Sequence, residues 1–309
     1  MLAWLPWLVA VAAVGYLYIR LSWAAQSEGF ALTTYVARIL AGVDWVRWLA
    51  LMVPYSVLYF LLDTAVVWLA VNWFNARLGY AEVIPIRGSA YLFSIINEQV
   101  GKAAMALYLN RRYGVAAAEA ASTMLFIMVC EYLHLLSWAS IGVLVHGDRL
   151  PRVFDVIPWL AAVSIVLLVL LHLFFTGRLG SAEALRGRPV FRAFATARMW
   201  QYGAVVALRS PLMLAAVSVY TVAMPLFGVP ITFGQMLGFL PVILFGASTP
   251  GPMRSVAIVL WVVLFPDHPG EVAAFGLFQH NFFLLFSVVI GLVFLRRASR
   301  SLLAGPSSG

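Results

Sequence analysis

The sequence has few charged residues, one cysteine and one lysine. Only 10% of its 309 residues are charged, whereas a soluble domain has about 25%, so a soluble globular protein is excluded. Cys130 is the single cysteine, which excludes a disulfide within the chain and any CxxC redox or zinc site. Arginine supplies most of the net charge of +8, and we expect it in short loops at lipid headgroups rather than on nucleic acid.

Enzyme motifs are also missing from the sequence. It contains no GxSxG, Walker A or HExxH motif, and intramembrane proteolysis would need a GxSx serine with histidine, paired aspartates or HExxH. We therefore predict no catalytic residue, no metal and no cofactor. A lipid-headgroup transferase embedded in the membrane stays open as a weaker third interpretation.

Long apolar runs are what the sequence has instead. Hydrophobic residues make up 63% of the chain, and its mean hydropathy is +0.95. Since a spanning helix needs about 20 mostly apolar residues, the runs predict an all-α polytopic membrane protein with about six full transmembrane helices. Residues 2–19 are interpreted as a membrane helix rather than a signal peptide, because no basic residue precedes them. The six predicted spans are residues 2–19, 46–73, 116–145, 154–175, 200–227 and 271–295.

A further apolar run, residues 231–265, is broken in its middle by GASTPGPMRS at 246–255. As helices, residues 231–246 and 253–265 would be about 24 Å and about 20 Å long, too short for a hydrocarbon core of about 30 Å. We therefore predict a re-entrant hairpin that enters and leaves the membrane on the same side. Its turn must be buried in protein or line a polar cavity, because lipid cannot satisfy open backbone groups.

Residues 84–110 are interpreted in the same way. Residues 84–96 and 102–110 are each too short to span, and the polar stretch NEQVGK at 97–102 separates them. This pattern predicts a second re-entrant hairpin with its tip at 97–102. One slightly polar spanning helix over 84–110 is the alternative that the sequence leaves open.

Loop charges predict the orientation of these segments. Residues 176–198 contain five arginines, whereas residues 266–271 contain two acids and no basic residue. With three more arginines at 296–300, the positive-inside rule places the C-terminus in the cytoplasm, and the two hairpins then enter from opposite faces. We predict a single membrane domain over residues 1–309, built as an inverted repeat, with hairpin 84–110 in the repeat 45–146, hairpin 231–265 in the repeat 199–296, and a flexible tail at 299–309.

Ionisable groups inside membrane segments are functional candidates by default, and opposed hairpins are typical of transporters with a site near the midplane. Asp63 and Arg209 are predicted to form an intramembrane ion pair, with or without a substrate role. Glu98 and Lys102, at i and i+4, are expected at the tip of the first hairpin. There they would meet a headgroup or pair with each other.

Glu131 and His134, at i and i+3, share a face of one spanning helix, which is typical of a buried hydrogen-bonded pair or a proton relay. Two such residues do not make a metal site. Arg254 follows the second turn and is predicted to bind phosphate beside free N–H groups at a helix start. The remaining substrate-site candidates are Asn97, Gly101, Ser248, Thr249, Pro250, Gly251, His280 and Asn281.

The stretch NEQVGKAAMALYLNRRYGVAAAEAASTMLFIMVCEYLHLL at 97–136 and the turn STPGPMRS at 248–255 resemble the two motif blocks of a known family. That family is the flippase-like membrane proteins typified by the transmembrane half of lysylphosphatidylglycerol synthases. The resemblance covers residues 45–296 and implies the family fold and a role in moving lipids. The residues that fit the first block are Asn97, Gly101, Ala106, Leu109, Arg111, Gly114, Val115 and Glu131.

The chain departs from the family pattern at its charged positions. Lys102 stands where the family has an acid, Met105 where it has an arginine, and Tyr132 where it has another arginine. The glycines and acid after the second turn are replaced by PMRS at 252–255. The resemblance therefore implies the fold more strongly than the substrate.

Together these features predict an ATP-independent translocase for a lipid or a polyprenyl-linked lipid, in the bacterial inner membrane, with a polar midplane cavity between the two hairpins. Its expected partners are membrane lipids with an anionic or phosphate-bearing headgroup, and nucleic acid is not expected to bind. A homo-oligomer or an enzyme partner stays open. The alternative is a non-transporting subunit that scaffolds an enzyme of a lipid or isoprenoid pathway, which the substituted charges favour.

Overall fold

A computed structural model describes residues 5–94, 98–180, 183, 187–247 and 255–303. Over these ranges the chain is almost entirely helical, with twelve α-helices and no strand. They are α1 Leu5–Ser27, α2 Leu32–Ala41, α3 Trp45–Phe74, α4 Tyr80–Ser94, α5 Glu98–Tyr113, α6 Ala117–His146, α7 Ile157–Phe175, α8 Arg192–Thr196, α9 Met199–Ala223, α10 Phe233–Ala247, α11 Ser255–Leu264 and α12 Pro269–Leu303. Short 3-10 turns lie at Gly147–Arg149, Arg152–Val156, Pro189–Phe191 and Met224–Phe227.

Five helices in the described ranges are long and apolar enough to cross a membrane. Their length and composition confirm the prediction of an all-α membrane protein. The first predicted span, residues 2–19, falls largely on α1, which is not among the five, so its crossing stays a prediction. The five are Trp45–Phe74, Ala117–His146, Arg152–Phe175, Met199–Phe227 and Pro269–Arg300.

The helices α4 and α5 pack along each other. A Cβ atom on Gly101 would lie 3.1 Å from Ala90 O and would overlap Ser94 Oγ, so α5 runs back along α4 with backbones in close approach. In one continuous helix, Ala90 and Gly101 would be about 16 Å apart. The alternative of a single helix over 84–110 is therefore wrong.

The bounds of the predicted tip are also corrected. Residues 98–102 belong to α5, so the second helix of the pair begins at Glu98 rather than at Lys102. Glutamate is favourable in a first helical turn, and most residues that follow Glu98 have adequate helix propensity. Asn97, the first residue of the predicted tip, lies outside the described residues.

The helices α10 and α11 form a second packed pair. Gly246 faces Leu260 so closely that a Cβ atom there would overlap the Leu260 side chain, and α1 packs against α11. With 15 and 10 residues, these helices are about 22 Å and about 15 Å long. The predicted turn at 248–254 lies outside the described residues.

The chain divides into two compact units. The first is formed by Met1–Tyr55, Leu135–Ala161 and Met213–Phe283, and the second by Ser56–His134, Ala162–Leu212 and Leu284–Gly309. In the core of the first unit, Phe275 packs edge-to-face on Tyr220 and Trp261, with ring centroids 5.5 Å and 5.4 Å away.

The core of the second unit is built around Phe126. This ring packs on Phe74 and Tyr202 at centroid distances of 4.9 Å and 4.7 Å, and a layer of buried aliphatic side chains surrounds it. The spanning helices of this unit are therefore held together by apolar packing, and the polar groups described next are embedded in that packing.

Candidate functional site

Five charged side chains lie together in the interior of the second unit, and we name them the ion-pair cluster. Each comes from a different helix, namely α3, α4, α5, α6 and α9. Four of the residues are no more than 6% exposed, and the fifth side chain, that of Glu131, is 15% exposed. The cluster consists of Asp63, Arg87, Lys102, Glu131 and Arg209.

Asp63 accepts hydrogen bonds from three donors. Arg87 Nε donates to Oδ2 at 2.6 Å, and Arg209 Nη2 donates to Oδ1 at 3.0 Å. Tyr91 Oη also donates to Oδ2, at 3.2 Å. Both carboxylate oxygens of this buried group are therefore satisfied by charged donors.

Glu131 is held by two cations. Lys102 Nζ donates to its Oε2 at 2.8 Å, and Arg209 Nη1 donates to its Oε1 at 3.3 Å. Since Arg209 also contacts Asp63, one guanidinium bridges both carboxylates. Among the described residues, these contacts form a chain of alternating sign that runs Arg87, Asp63, Arg209, Glu131, Lys102, and we call Arg87 and Lys102 its terminal cations.

This alternation explains how five charges are tolerated inside a membrane protein. An isolated ion in a low-dielectric interior costs several kcal/mol, and only close, hydrogen-bonded partners offset that penalty. Each carboxylate of the ion-pair cluster touches two cations. Of the four ion pairs described in the cluster, Arg209 makes two, and Arg87 and Lys102 make one each.

Local sequence explains how α4 and α5 present their cations. Arg87 and Tyr91 are one helical turn apart on α4, and the guanidinium carbon lies 4.8 Å from the centre of the Tyr91 ring, a cation–π contact. Arg87 Nη1 also donates to Met105 Sδ on α5 at 3.6 Å. The two short helices therefore share polar contacts with each other as well as with the long helices.

His134 follows Glu131 by one turn of α6 and is 4% exposed. Its Nδ1 atom is buried and has no hydrogen-bond partner among the described residues. The predicted pair of Glu131 and His134 therefore does share a helix face, but the hydrogen bonds described for Glu131 are with Lys102 and Arg209. A proton-relay role for His134 stays a prediction.

The sequence-predicted residues fall into three groups. Asp63, Lys102, Glu131 and Arg209 meet in the ion-pair cluster, and Gly101 lies beside it, where it allows α4 and α5 to approach closely. His280 and Asn281 lie on α12 in the first unit, where Asn281 Nδ2 donates to Leu277 O at 2.8 Å. The residues outside the described part of the chain are Asn97, Ser248, Thr249, Pro250, Gly251 and Arg254, and the same holds for the side chain of Glu98.

Sequence reasoning missed Arg87, Tyr91 and Met105. Arg87 carried a usable signal, because it is an arginine within the apolar stretch 84–96 and so required a buried partner. Tyr91 carried none, since a tyrosine in an apolar helix is an ordinary packing residue, and Met105 was noted only as a departure from the family pattern. Their role follows only from the close pairing of α4 with α5.

The fold and the ion-pair cluster define the class of this protein: an all-α membrane protein with an alternating chain of buried charges in its helical core. Comparisons of the chain with protein-family models, with curated proteins and with solved structures find no match. The resemblance to flippase-like proteins therefore stays a hypothesis, and only the motif residues of the sequence support it.

Proposed function

We propose that this protein is an ATP-independent translocase for a lipid or polyprenyl-linked lipid with an anionic headgroup, and that the ion-pair cluster handles the headgroup. The observation that carries the proposal is the placement of two cluster cations, Arg87 and Lys102, on the short paired helices α4 and α5. Charges buried in membrane segments are retained chiefly along substrate and ion pathways.

The finer architecture belongs to the same proposal. Both helix pairs are re-entrant, and they enter from opposite faces of the membrane as parts of an inverted repeat. Each of the five long apolar helices contributes residues to both compact units, whereas α4 and α5 belong wholly to the second unit and α10 and α11 wholly to the first. Helices of about 15 to 24 Å are also too short for a core of about 30 Å.

The order of charges suggests how a headgroup is accepted. When a phosphate binds Lys102, Glu131 loses that partner but keeps Arg209, and when phosphate binds Arg87, Asp63 likewise keeps Arg209. The terminal cations can therefore be transferred to a ligand without leaving a bare buried carboxylate, whose penalty would be large. An arginine and a lysine also suit phosphate, as a two-pronged donor and as a point charge.

Transport in liposomes tests the proposal. Phosphatidylglycerol and phosphatidylcholine that carry a fluorescent label on an acyl chain are each placed in both leaflets, and a membrane-impermeant reductant then bleaches the label in the outer one. We expect the purified chain to increase the bleached fraction of the anionic lipid above that of protein-free liposomes. Equal bleaching with and without protein for both lipids contradicts translocation.

Cysteine labelling tests the re-entrant helix pair separately. In a Cys130→Ala background, Gly79→Cys reports the start of α4, and Phe93→Cys, at an exposed position, reports its last turn. We expect an impermeant thiol reagent to label Gly79→Cys from one face of the membrane. The same reagent should not label Phe93→Cys from the opposite face or from bulk water. Labelling of Phe93→Cys from the opposite face shows that α4 crosses the membrane.

A non-transporting scaffold subunit is the second candidate. The observation that favours it is that each carboxylate of the ion-pair cluster is already satisfied by cations of the same cluster, which suits a purely structural role. Copurification from native membranes of a stoichiometric membrane enzyme, together with absent lipid transport, supports this candidate over the translocase.

A further inference from the structure

A cavity of about 290 Å³ lies in the first unit, and none of its lining residues belongs to the ion-pair cluster. It is formed by the end of α1, by α2, by the turn after α9 and by the start of α12. The lining residues that matter chemically are Glu28, Tyr35, Arg38, Phe227 and Glu271. Nothing in the proposed translocation mechanism uses them.

The charges that line this cavity leave one carboxylate uncompensated. Arg38 Nη1 lies 3.7 Å from Glu28 Oε2, and its guanidinium carbon lies 5.0 Å from the centre of the Phe30 ring, so Arg38 is engaged on one side of the cavity. Glu271 has no ion pair with any described residue. The lining therefore has a net negative charge.

Tyr35 supplies a second, independent polar group. It is 3% exposed, lines the cavity, and its hydroxyl forms no hydrogen bond with any described residue. Its ring packs on Gly270, where a Cβ atom would lie 2.6 Å from Tyr35 Cζ, so its position is fixed by packing. Burial, and then the charges of Glu271 and Glu28, raise the pKa of Tyr35 to about 12, and the hydroxyl stays neutral at physiological pH.

We propose that this cavity binds an organic ammonium group. The carboxylate of Glu271 and the Tyr35 oxygen provide hydrogen-bond acceptors for N–H groups. Tyr35 and Phe227 add aromatic rings to the lining, and aromatic rings attract cations. The cavity has the size of a small ligand or a headgroup rather than that of a whole lipid. A metal ion fits less well, because the described residues contain no group of three carboxylate, histidine or cysteine ligands.

Such an ammonium group has two sources, a soluble amine or an amine-bearing lipid headgroup, and two arms of one binding experiment distinguish them. In the first arm the detergent-purified full chain is titrated with tetramethylammonium or ethanolamine, with sodium at equal ionic strength as the reference. Binding to the folded state raises its thermal midpoint. In the second arm the chain is placed in nanodiscs of phosphatidylglycerol with and without phosphatidylethanolamine, and the same midpoint is measured.

We expect Glu271→Gln to weaken the apparent affinity for the ammonium probe by about tenfold, and Tyr35→Phe to weaken it less, because the ring remains. Asp267→Asn is the matched control: it removes a nearby exposed acid that does not line the cavity, and its affinity should equal that of the unmodified chain.

Stabilisation in either arm that depends on Glu271 supports the site, and the arm in which it occurs identifies the source of the ammonium group. No stabilisation in both arms, or equal loss in Glu271→Gln and Asp267→Asn, overturns it. The readout is binding, so it is independent of whether the chain transports lipid.

Discussion

The two short helix pairs are held in place by different kinds of contact. The pair α4–α5 carries Arg87 and Lys102 into buried contacts with carboxylates of α3 and α6, whereas α10 and α11 contain no charged residue at all. The second pair is held by apolar contacts instead, such as the edge-to-face packing of Phe239 on Phe265, the residue after α11, at a centroid distance of 5.3 Å. One pair is positioned by a few strong, separable contacts, and the other by many small ones.

This difference indicates which of the two helix pairs can move at the lower cost in free energy. Ion pairs can be exchanged one at a time against an incoming anion, and each exchange leaves the remaining partners in place. Apolar packing has no such intermediate, because shifting a helix out of a close-packed interface loses many contacts together. We therefore expect a ligand response in α4–α5, with α10–α11 as the more rigid pair.

The largest expected effect is that of Arg209→Met, which removes the bridge between both carboxylates. With two buried anions left partly unpaired, we expect a loss of about 3–5 kcal/mol in the free energy of unfolding, seen as a large drop in the thermal midpoint of the purified chain. Arg192→Met is the control, since Arg192 is 55% exposed in its pair with Glu119 and should contribute only about 0–1 kcal/mol. Equal drops in the two variants would contradict a structural bridge at Arg209.

A terminal cation should matter less than the bridge. In Lys102→Met, Glu131 keeps its contact with Arg209, so we expect a loss of about 1–3 kcal/mol, smaller than that of Arg209→Met in the same assay. Lys102→Arg should recover most of it, because the charge is retained. If Lys102→Met destabilised the chain as much as Arg209→Met, the alternating order of the cluster would be wrong.

Two glycine substitutions compare the helix pairs directly. At Gly101 an added Cβ meets the backbone oxygen of Ala90, which cannot move aside, so Gly101→Ala should destabilise by about 1–3 kcal/mol through overpacking, partly offset by about 1 kcal/mol of helix propensity. At Gly246 the obstacle is the tip of the Leu260 side chain, which can change rotamer, and Gly246→Ala should lose less. A larger loss at Gly246, measured by thermal unfolding, would reverse the comparison.

The smallest expected effect is on stability at alkaline pH. Because the pKa of Tyr35 is raised from 10.0 to about 12 in the folded chain, folding favours its neutral form. This contribution is complete below pH 10 and is lost as the pH rises from about 10 to about 12. Tyr35→Phe should therefore show a shallower decline of the thermal midpoint over that interval than the unmodified chain, and an unchanged slope would place Tyr35 in ordinary solvent.

The parts of the fold that the sequence predicts are those set by hydropathy. Five long spans follow from runs of apolar residues, and the pairing of Asp63 with Arg209 was foreseeable because each is an ion in an apolar helix that requires a partner. The contact of Lys102 with Glu131 was harder to predict, because it depends on how α5, which begins at Glu98, packs beside α6. No spacing rule in the sequence reveals a contact between two residues that lie 29 positions apart on different helices.

The ammonium-binding cavity could not be predicted from the sequence either. Glu28 and Tyr35 lie close together near the start of the chain, whereas Glu271 comes from a distant segment. Each looks like an ordinary interfacial residue alone. Their convergence depends on the tight packing of Tyr35 over Gly270, a tertiary contact with no local signature. Hydropathy predicts which segments enter the membrane, whereas the sites depend on how those segments pack.

The central claim, that a terminal cation of the ion-pair cluster binds the headgroup, is tested most directly by headgroup selectivity in liposomes. The measurement is the ratio of the transport rate of phosphatidylglycerol to that of phosphatidylcholine, for the unmodified chain, for Lys102→Met and for the control Arg112→Met, which changes a cation at the end of α5 outside the cluster. We predict a ratio above one that falls toward one in Lys102→Met and is unchanged in Arg112→Met. An identical ratio in all three proteins, or one that falls only in Arg112→Met, would contradict the claim.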